Sequence, residues 1–260
     1  MLSYKQIPMR KIAIANQKGG VGKTTTALNL AAGLGLKGKR VLLADLDPQA
    51  NATFATLGAE EIQNTTYDVL CRNVAVGDAI VKSERNRFDI LPSEINLAGA
   101  EVELFSTVGG QTRLRNKLRD EALMVYDYLI IDAPPSLGLL TINSLAAADE
   151  VIVPISASVF ALQGIDQLEN TIQQVKENLE CPELRIGGVV CTLYDHTNVG
   201  NDIVKVIRKR FGDLMFSVII PKNIKLEEAH SRAESIFSYA PNSKGTEAYK
   251  QLVEEVLNRE

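Results

Sequence analysis

Short, nearly continuous apolar runs alternate along this chain with longer segments whose apolar positions recur every three or four residues. The runs Lys11–Ala15, Arg40–Ala44, Phe88–Leu91, Tyr128–Ile131, Val151–Pro154, Ile186–Cys191 and Phe216–Ile220 are rich in aliphatic and β-branched residues. Continuous rather than alternating apolar character predicts strands covered on both faces, the condition of a parallel sheet. Between them, Thr24–Leu36, Gln111–Ala122, Leu139–Ala147, Ile165–Leu179, Asp202–Phe211 and Thr246–Asn258 carry helical periodicity. The looser stretch Asn51–Ala79, rich in Asn, Thr and Gly, predicts short helices. Together these elements predict an α/β fold, a doubly wound, mostly parallel sheet with helices on both faces. Ligands of such sheets sit beyond the carboxyl ends of the strands.

Composition narrows this further. A chain of 260 residues, 45% hydrophobic and 23% charged, is expected to form one folded domain over 1–260, with a short N-terminal extension at 1–9. The net charge of −4 rules out a generic polyanion binder, so any nucleic-acid contact must come from a local basic patch. Cys71, Cys181 and Cys191 are scattered and read as core residues in a reducing compartment. His196 and His230 are too isolated to suggest zinc. Met1–Arg10 lacks the apolar core of a signal peptide, and no apolar run is long enough to span a membrane. The expected setting is the cytoplasm.

The most specific chemistry lies in Lys18-Gly19-Gly20-Val21-Gly22-Lys23-Thr24-Thr25, between the first strand and the first helix. A strand feeding a glycine-rich turn that opens a helix is how a nucleotide's phosphates are held. Small residues let backbone N–H groups close round the anion, and the helix N-terminus adds partial positive charge. In that arrangement Lys23 reaches the β- and γ-phosphates, and the Thr24 hydroxyl ligates Mg²⁺. The strict pattern G-x-x-x-x-G-K-[ST] is not met. Gln17 stands where its first glycine belongs, and an additional lysine, Lys18, precedes the glycine pair.

Two further strand ends carry carboxylates. The second predicted strand runs into Asp45-Leu46-Asp47-Pro48-Gln49, and the fourth into Asp132-Ala133-Pro134-Pro135. Beside phosphates and Mg²⁺, one carboxylate of the first pair can hold metal-bound water while the other orients the attacking water. Otherwise the pair belongs to a solvated turn. Asp132, closing a hydrophobic strand, has the Walker B arrangement of a metal-binding carboxylate; its alternative is a helix cap. The nearest string to a guanine-reading N-K-x-D, Asn116-Lys117-Leu118-Arg119-Asp120, has one residue too many and falls in a predicted helix. ATP is therefore favoured over GTP.

The lysine-glycine loop resembles the deviant Walker A motif of the ParA/MinD group, and the likeness extends from Arg10 to Leu257. Asp45-Leu46-Asp47-Pro48-Gln49, Ile95-Asn96-Leu97-Ala98-Gly99-Ala100-Glu101, Pro134-Pro135-Ser136-Leu137-Gly138 and Ser243-Lys244-Gly245 all resemble short partition ATPases of the ParA/Soj type. The resemblance implies a P-loop NTPase fold and a slow, partner-stimulated ATPase using ATP and Mg²⁺. It implies that Lys18 reaches across an ATP-dependent homodimer into the partner's site. It makes Asp47 the hydrolysis residue, with Asp45 supporting it and the metal, and places adenine on the loop at Pro221 and Asn223, for either of which a plain turn is the alternative.

The output implied is sequence-independent binding of double-stranded DNA on the nucleoid, with a ParB-like centromere-binding partner. Lys205, Arg208, Lys209, Arg210, Lys222 and Lys225 are the candidate phosphate contacts; a solvated helix face is the alternative for them. Members of the family often carry arginine near His196 and at the positions of Lys222 and Lys225, and Ser231–Ser238 also departs from the usual pattern. No helix-turn-helix extension precedes the loop, so operator-specific binding is not expected. The other reading is a MinD-like or compartment-positioning ATPase acting on a membrane or a protein cargo. The acidic C-terminal string Leu252-Val253-Glu254-Glu255-Val256-Leu257 suits anionic lipid poorly, so no membrane partner is expected.

Overall fold

A computed structural model describes residues 8–259. Its centre is one eight-stranded sheet built from β1 (Arg10–Ile14), β2 (Val41–Asp45), β3 (Val81–Ser83), β4 (Phe88–Leu91), β5 (Tyr128–Asp132), β6 (Glu150–Ser156), β7 (Arg185–Tyr194) and β8 (Met215–Pro221). Their order across the sheet is β3-β4-β2-β5-β1-β6-β7-β8. Every neighbouring pair is parallel except β3 with β4. The seven predicted strands are all present. The eighth, β3, is a three-residue antiparallel edge in which Ser83 alone is buried, too short and too polar for periodicity to register.

The helices are α1 (Lys23–Leu36), α2 (Asn51–Leu57), α3 (Thr66–Cys71), α4 (Leu97–Phe105), α5 (Arg113–Lys117), α6 (Leu139–Ala147), α7 (Ile165–Asn178), α8 (Asn198–Phe211), α9 (Ile224–Ser231), α10 (Ile236–Tyr239) and α11 (Lys244–Leu257). They divide between two cores, one on each sheet face. Helices α3 to α8 cover one, and α1, α2, α9, α10 and α11 the other. The unbroken apolar strands follow from this. Ala13 of β1 serves the first core while Ile12 and Ile14 serve the second, and β2 divides Leu42 and Ala44 from Val41 and Leu43 in the same way.

One predicted helix is corrected. Gln111–Ala122 is not continuous; α5 is a short helix between 3-10 turns at Gly110–Thr112 and Glu121–Val125. Asn143 on α6 reaches across to accept from the Leu114 amide at 3.0 Å and to donate to the Gly110 carbonyl at 2.8 Å. The Asp120 carboxylate then accepts from the Ala122 amide and starts a new turn. These tertiary and capping bonds hold the segment in separate turns despite its helical periodicity.

Parallel register brings the ends of three strands to one level. Ile14 pairs with Asp132 between β1 and β5, and Asp45 pairs with Asp132 between β2 and β5. The phosphate-type loop and both predicted carboxylate strand ends therefore open at the same edge.

Candidate functional site

The loop between β1 and α1 is held by bonds from both sides. Asn16 donates to the Pro154 carbonyl at 2.7 Å and accepts from the Lys18 amide at 2.9 Å. The Thr192 hydroxyl at the end of β7 donates to the Val21 carbonyl at 2.8 Å. Gly20 and Gly22 have φ of 68° and 81°, a left-handed backbone that a side chain would strain, so glycine is needed at both. Helix α1 starts directly after Gly22 with no side-chain cap and no acidic residue in its first turn. Its first amide N–H groups are thus available to an anion.

Lys23, the first residue of α1, is buried, and its ammonium donates to the Lys18 carbonyl at 3.1 Å. Burial lowers its pKa, while Asp132 and Asp47 pull it back up. Asp132 is fully buried, and neither carboxylate oxygen has a hydrogen-bond partner among the described residues. Burial, and next the neighbouring Asp45 charge, push its pKa well above the carboxylate range; the nearby Thr24 hydroxyl and the Lys23 ammonium act against this. An unpartnered buried carboxylate is costly unless a cation or proton compensates it. These residues therefore fit a divalent ion held between Asp132 and the Thr24 hydroxyl, with phosphate oxygens and water completing its shell. Among the described residues no cluster of three or more His, Cys, Asp or Glu forms an all-protein metal cage.

Asp45 is bonded differently. One oxygen accepts from the Thr53 amide at 2.9 Å and the Thr53 hydroxyl at 2.7 Å, and the other accepts from the Asp47 amide at 3.0 Å. Burial still raises its pKa to about 6 against these bonds. Its carboxylate thus shapes the turn that presents Asp47. The Asp47 carboxylate accepts only from the Gln49 amide, at 2.9 Å, while its carbonyl accepts from the Ser93 hydroxyl at 2.8 Å. Sequence reasoning missed Thr53, Ser93 and Thr192. Thr53 lies in α2, Ser93 in the loop after β4 and Thr192 in β7, and a lone hydroxyl residue carries no signal of such a contact by itself.

Lys18 is half-buried, with its ammonium 3.2 Å from the Ser158 hydroxyl and 3.5 Å from the Phe160 carbonyl, in the loop after β6. Gly19 and Gly20 are exposed beside it. On the other side of the loop a cavity of about 160 Å³ is lined by Gly22, Thr25, Thr192, Pro221, Asn223 and Tyr249, among others. The structure thus brings Pro221 and Asn223 next to the glycine loop. Asn223 also caps α9, accepting from the Lys225 amide at 3.0 Å.

The six candidate DNA contacts do not form one cluster. Lys222 and Lys225 sit at the strand-end edge, beside the site, and α9 packs on the opposite sheet face from α8. Arg208, Lys209 and Arg210 lie in the last turn of α8, roughly 15 to 18 Å along that helix from its start at Asn198. Arg210 is paired with Glu169 at 2.6 Å and Asp166 at 3.6 Å, Lys205 with Asp202 at 2.9 Å, and Lys225 with Glu228 at 2.6 Å. Arg208, Lys209 and Lys222 are exposed without an ion-pair partner among the described residues.

Comparison with known proteins adds an independent line. Residues 9–186 match the family described as an AAA domain. The chain is 46% identical over 248 residues to the sporulation initiation inhibitor protein Soj of Bacillus subtilis, covering 94% of this chain and 97% of that one. It is 44% identical over 258 residues to the chromosome partitioning protein ParA of Caulobacter vibrioides, covering 97% and 96%. A solved structure of cobyrinic acid a,c-diamide synthase from Mycobacterium smegmatis, with bound ADP and magnesium, is 35% identical and superposes with a TM-score of 0.82 over 96% of this chain and 95% of that one.

Proposed function

Because this chain belongs to the ParA/Soj family of chromosome-partitioning ATPases, we propose that it is an ATP-driven dimerising switch that binds double-stranded DNA without sequence preference and hydrolyses ATP slowly when a ParB-like partner stimulates it. The observation that carries this reading is the convergence of the uncapped start of α1, the buried Lys23 and the unpartnered Asp132. A positive helix end and an uncompensated buried carboxylate, side by side, suit a phosphate chain with its cation.

Each residue then has a distinct role. The backbone of Gly19 to Gly22, the α1 amides and Lys23 hold phosphate oxygens, with Thr25 at the mouth of the adenine cavity. Thr24 and Asp132 hold Mg²⁺, and Asp45 supports the metal indirectly by fixing the turn at Asp47. Mg²⁺, when bound, neutralises charge on the phosphates. Asp47 orients the attacking water, Pro221 and Asn223 border adenine, and Lys18 leaves Ser158 to meet the partner's phosphates. The protein works in the cytoplasm, on the nucleoid.

The test pairs two variants. Lys18→Ala is expected to bind ATP one-to-one yet form no ATP-dependent dimer in light scattering, since a charge-assisted phosphate contact has no substitute nearby. Asp47→Ala is expected to form persistent dimers with turnover at background. A normal dimer from the first, or normal hydrolysis by the second, overturns the corresponding role.

A further inference from the structure

The edge of the sheet where the parallel strands begin, opposite the glycine loop, carries a cavity of about 550 Å³. That volume is within the range of small-ligand sites, and it exceeds the cavity of about 160 Å³ beside the glycine loop. Its wall is formed by the first residues of β1, β5, β6 and β7, by Lys39 ahead of β2 and by Arg259 after α11.

Cations are in excess there. Of the three carboxylates in the wall, Asp127 is engaged by Arg40 at 2.9 Å and Asp149 by Lys11 at 2.8 Å, two cations outside it. The third, Glu150, is buried and shared by Arg10 and, at 3.5 Å, Arg185. Arg259 donates to the Gly187, Leu214 and Asp213 carbonyls and has no ion pair among the described residues, and Arg10 also donates to the Val256 carbonyl. Neutral carbonyls orient a guanidinium without cancelling its charge.

Strand β7 makes room for this arrangement. Its register with β6 slips by one residue, leaving Gly187 as an extra residue between Ile186 and Gly188. A Cβ at Gly187 would collide with a Glu150 carboxylate oxygen, and one at Gly188 with the Phe216 ring and Nη1 of Arg259. The Arg259 guanidinium lies 4.0 Å over that ring. Two glycines inside a strand forgo packing, and here they seat a carboxylate and a guanidinium; bulges of this kind re-aim the side chains beside them.

Three cations follow one another along the cavity. Lys39 Nζ and Arg10 Cζ lie 5.8 and 6.0 Å from the centre of the Tyr128 ring, and Arg10 and Arg185 meet at Glu150. Arg185 spends one N–H, on Glu150, and Nη2 of Arg10 bonds to nothing among the described residues. Unspent N–H groups on planar forks match the oxygens of phosphate. We propose that this cavity binds a short linear polyphosphate chain, its phosphates spread over Lys39, Arg10 and Arg185. A row of cations calls for charge distributed along the ligand rather than a single anion. The site does not depend on the nucleotide reading.

The probe is inorganic tripolyphosphate, titrated calorimetrically into the full chain at physiological ionic strength with a chelator in place of Mg²⁺. Because the glycine loop also suits phosphate, each titration is repeated in Lys23→Ala. A binding event that survives Lys23→Ala is expected. Lys39→Gln with Arg185→Gln is expected to weaken it by about tenfold or more, the loss of two charge-assisted contacts. Lys82→Gln with Lys250→Gln, which removes the same charge from exposed positions elsewhere, is expected to leave it unchanged. Lys39 and Arg185 lie outside the core, so melting temperatures should stay near wild type; Arg185→Gln alone serves if the pair does not fold. Orthophosphate is expected to bind far more weakly. Four results overturn the proposal. One is the absence of any event in Lys23→Ala. Another is equal weakening, or none, from the two pairs of substitutions. The third is equal affinity for orthophosphate. The last is displacement of tripolyphosphate by random-sequence duplex, which would assign these cations to a nucleic-acid surface.

Discussion

His230, on α9, is half-buried, and its Nε2 is shielded from solvent with no hydrogen-bond partner among the described residues. Burial lowers its pKa from 6.5 to about 4, so the folded chain holds it neutral. A base whose folded pKa is depressed contributes stability that is present above its unfolded pKa and lost as pH falls toward the folded one. The loss therefore runs from about pH 6.5 down to about 4 and amounts to about 3 kcal/mol at most. Asp45 acts in the opposite sense: its raised pKa costs stability as pH rises through the range up to about 6. Subtracting the His230→Gln variant removes that shared background. Urea denaturation of both proteins at pH 7 and pH 5 should show the wild type losing more stability on acidification than the variant. Equal losses would mean that His230 is protonated without penalty.

At the scale of elements, α8 and the strand-end edge divide the basic residues proposed to meet DNA. Counterion release lowers the log–log salt slope by nearly one for each phosphate contact removed. Arg208 and Lys209 have no ion pair among the described residues, so Arg208→Glu with Lys209→Glu should weaken ATP-dependent DNA binding steeply and reduce the slope by about two. Arg210→Gln should change the slope little, because Glu169 and Asp166 already engage that guanidinium. A salt titration on random-sequence duplex separates the two; equal effects would assign Arg210 to the DNA surface as well. Elements of this length were legible where sequence and tertiary context agreed. Strand β4 and helix α6 fall on the predicted bounds, since one is a short apolar run broken only by Asp89 and the other carries helical periodicity. Helix α4 was not predicted, because an apolar outer face hides the polar contrast that marks an amphipathic helix. Helices α9 and α10 follow the last strand without strong periodicity; Asn223 caps α9, and the Ser235 and Ile236 amides that open α10 donate to Asn86 and Asn29.

On the scale of the whole molecule, the glycine loop proposed to hold phosphate was the most legible part of the candidate site, because its residues are contiguous and that chemistry demands glycine and lysine at fixed spacing. The turn that presents Asp47 was only half legible: Asp45 was visible, but Thr53 and Ser93, which hold its geometry, become neighbours only when α2 and the loop after β4 fold onto β2. The same view bears on the choice between DNA and membrane. Helix α11 packs Tyr249, Leu252, Val253 and Val256 into the core, leaving Glu247 and Glu254 among its exposed residues. It has no free apolar face to lay on lipid. With Mg·ATP, the protein should therefore sediment with random-sequence duplex at low salt and not with anionic vesicles. Strong vesicle binding without DNA binding would reverse that choice.

The bond from Lys23 to the Lys18 carbonyl has a kinetic consequence. The glycine loop keeps its shape through its own contacts, with the ammonium already turned inward and Asn16 and Thr192 bracing either side. An anion bound there, as proposed, would take over one end of an existing bond rather than order a loose loop. Loading would then be paced by diffusion and by the shedding of water, without a folding step in series. In the switch proposed above, the long interval would fall after loading, at the proposed dimerisation and at Asp47.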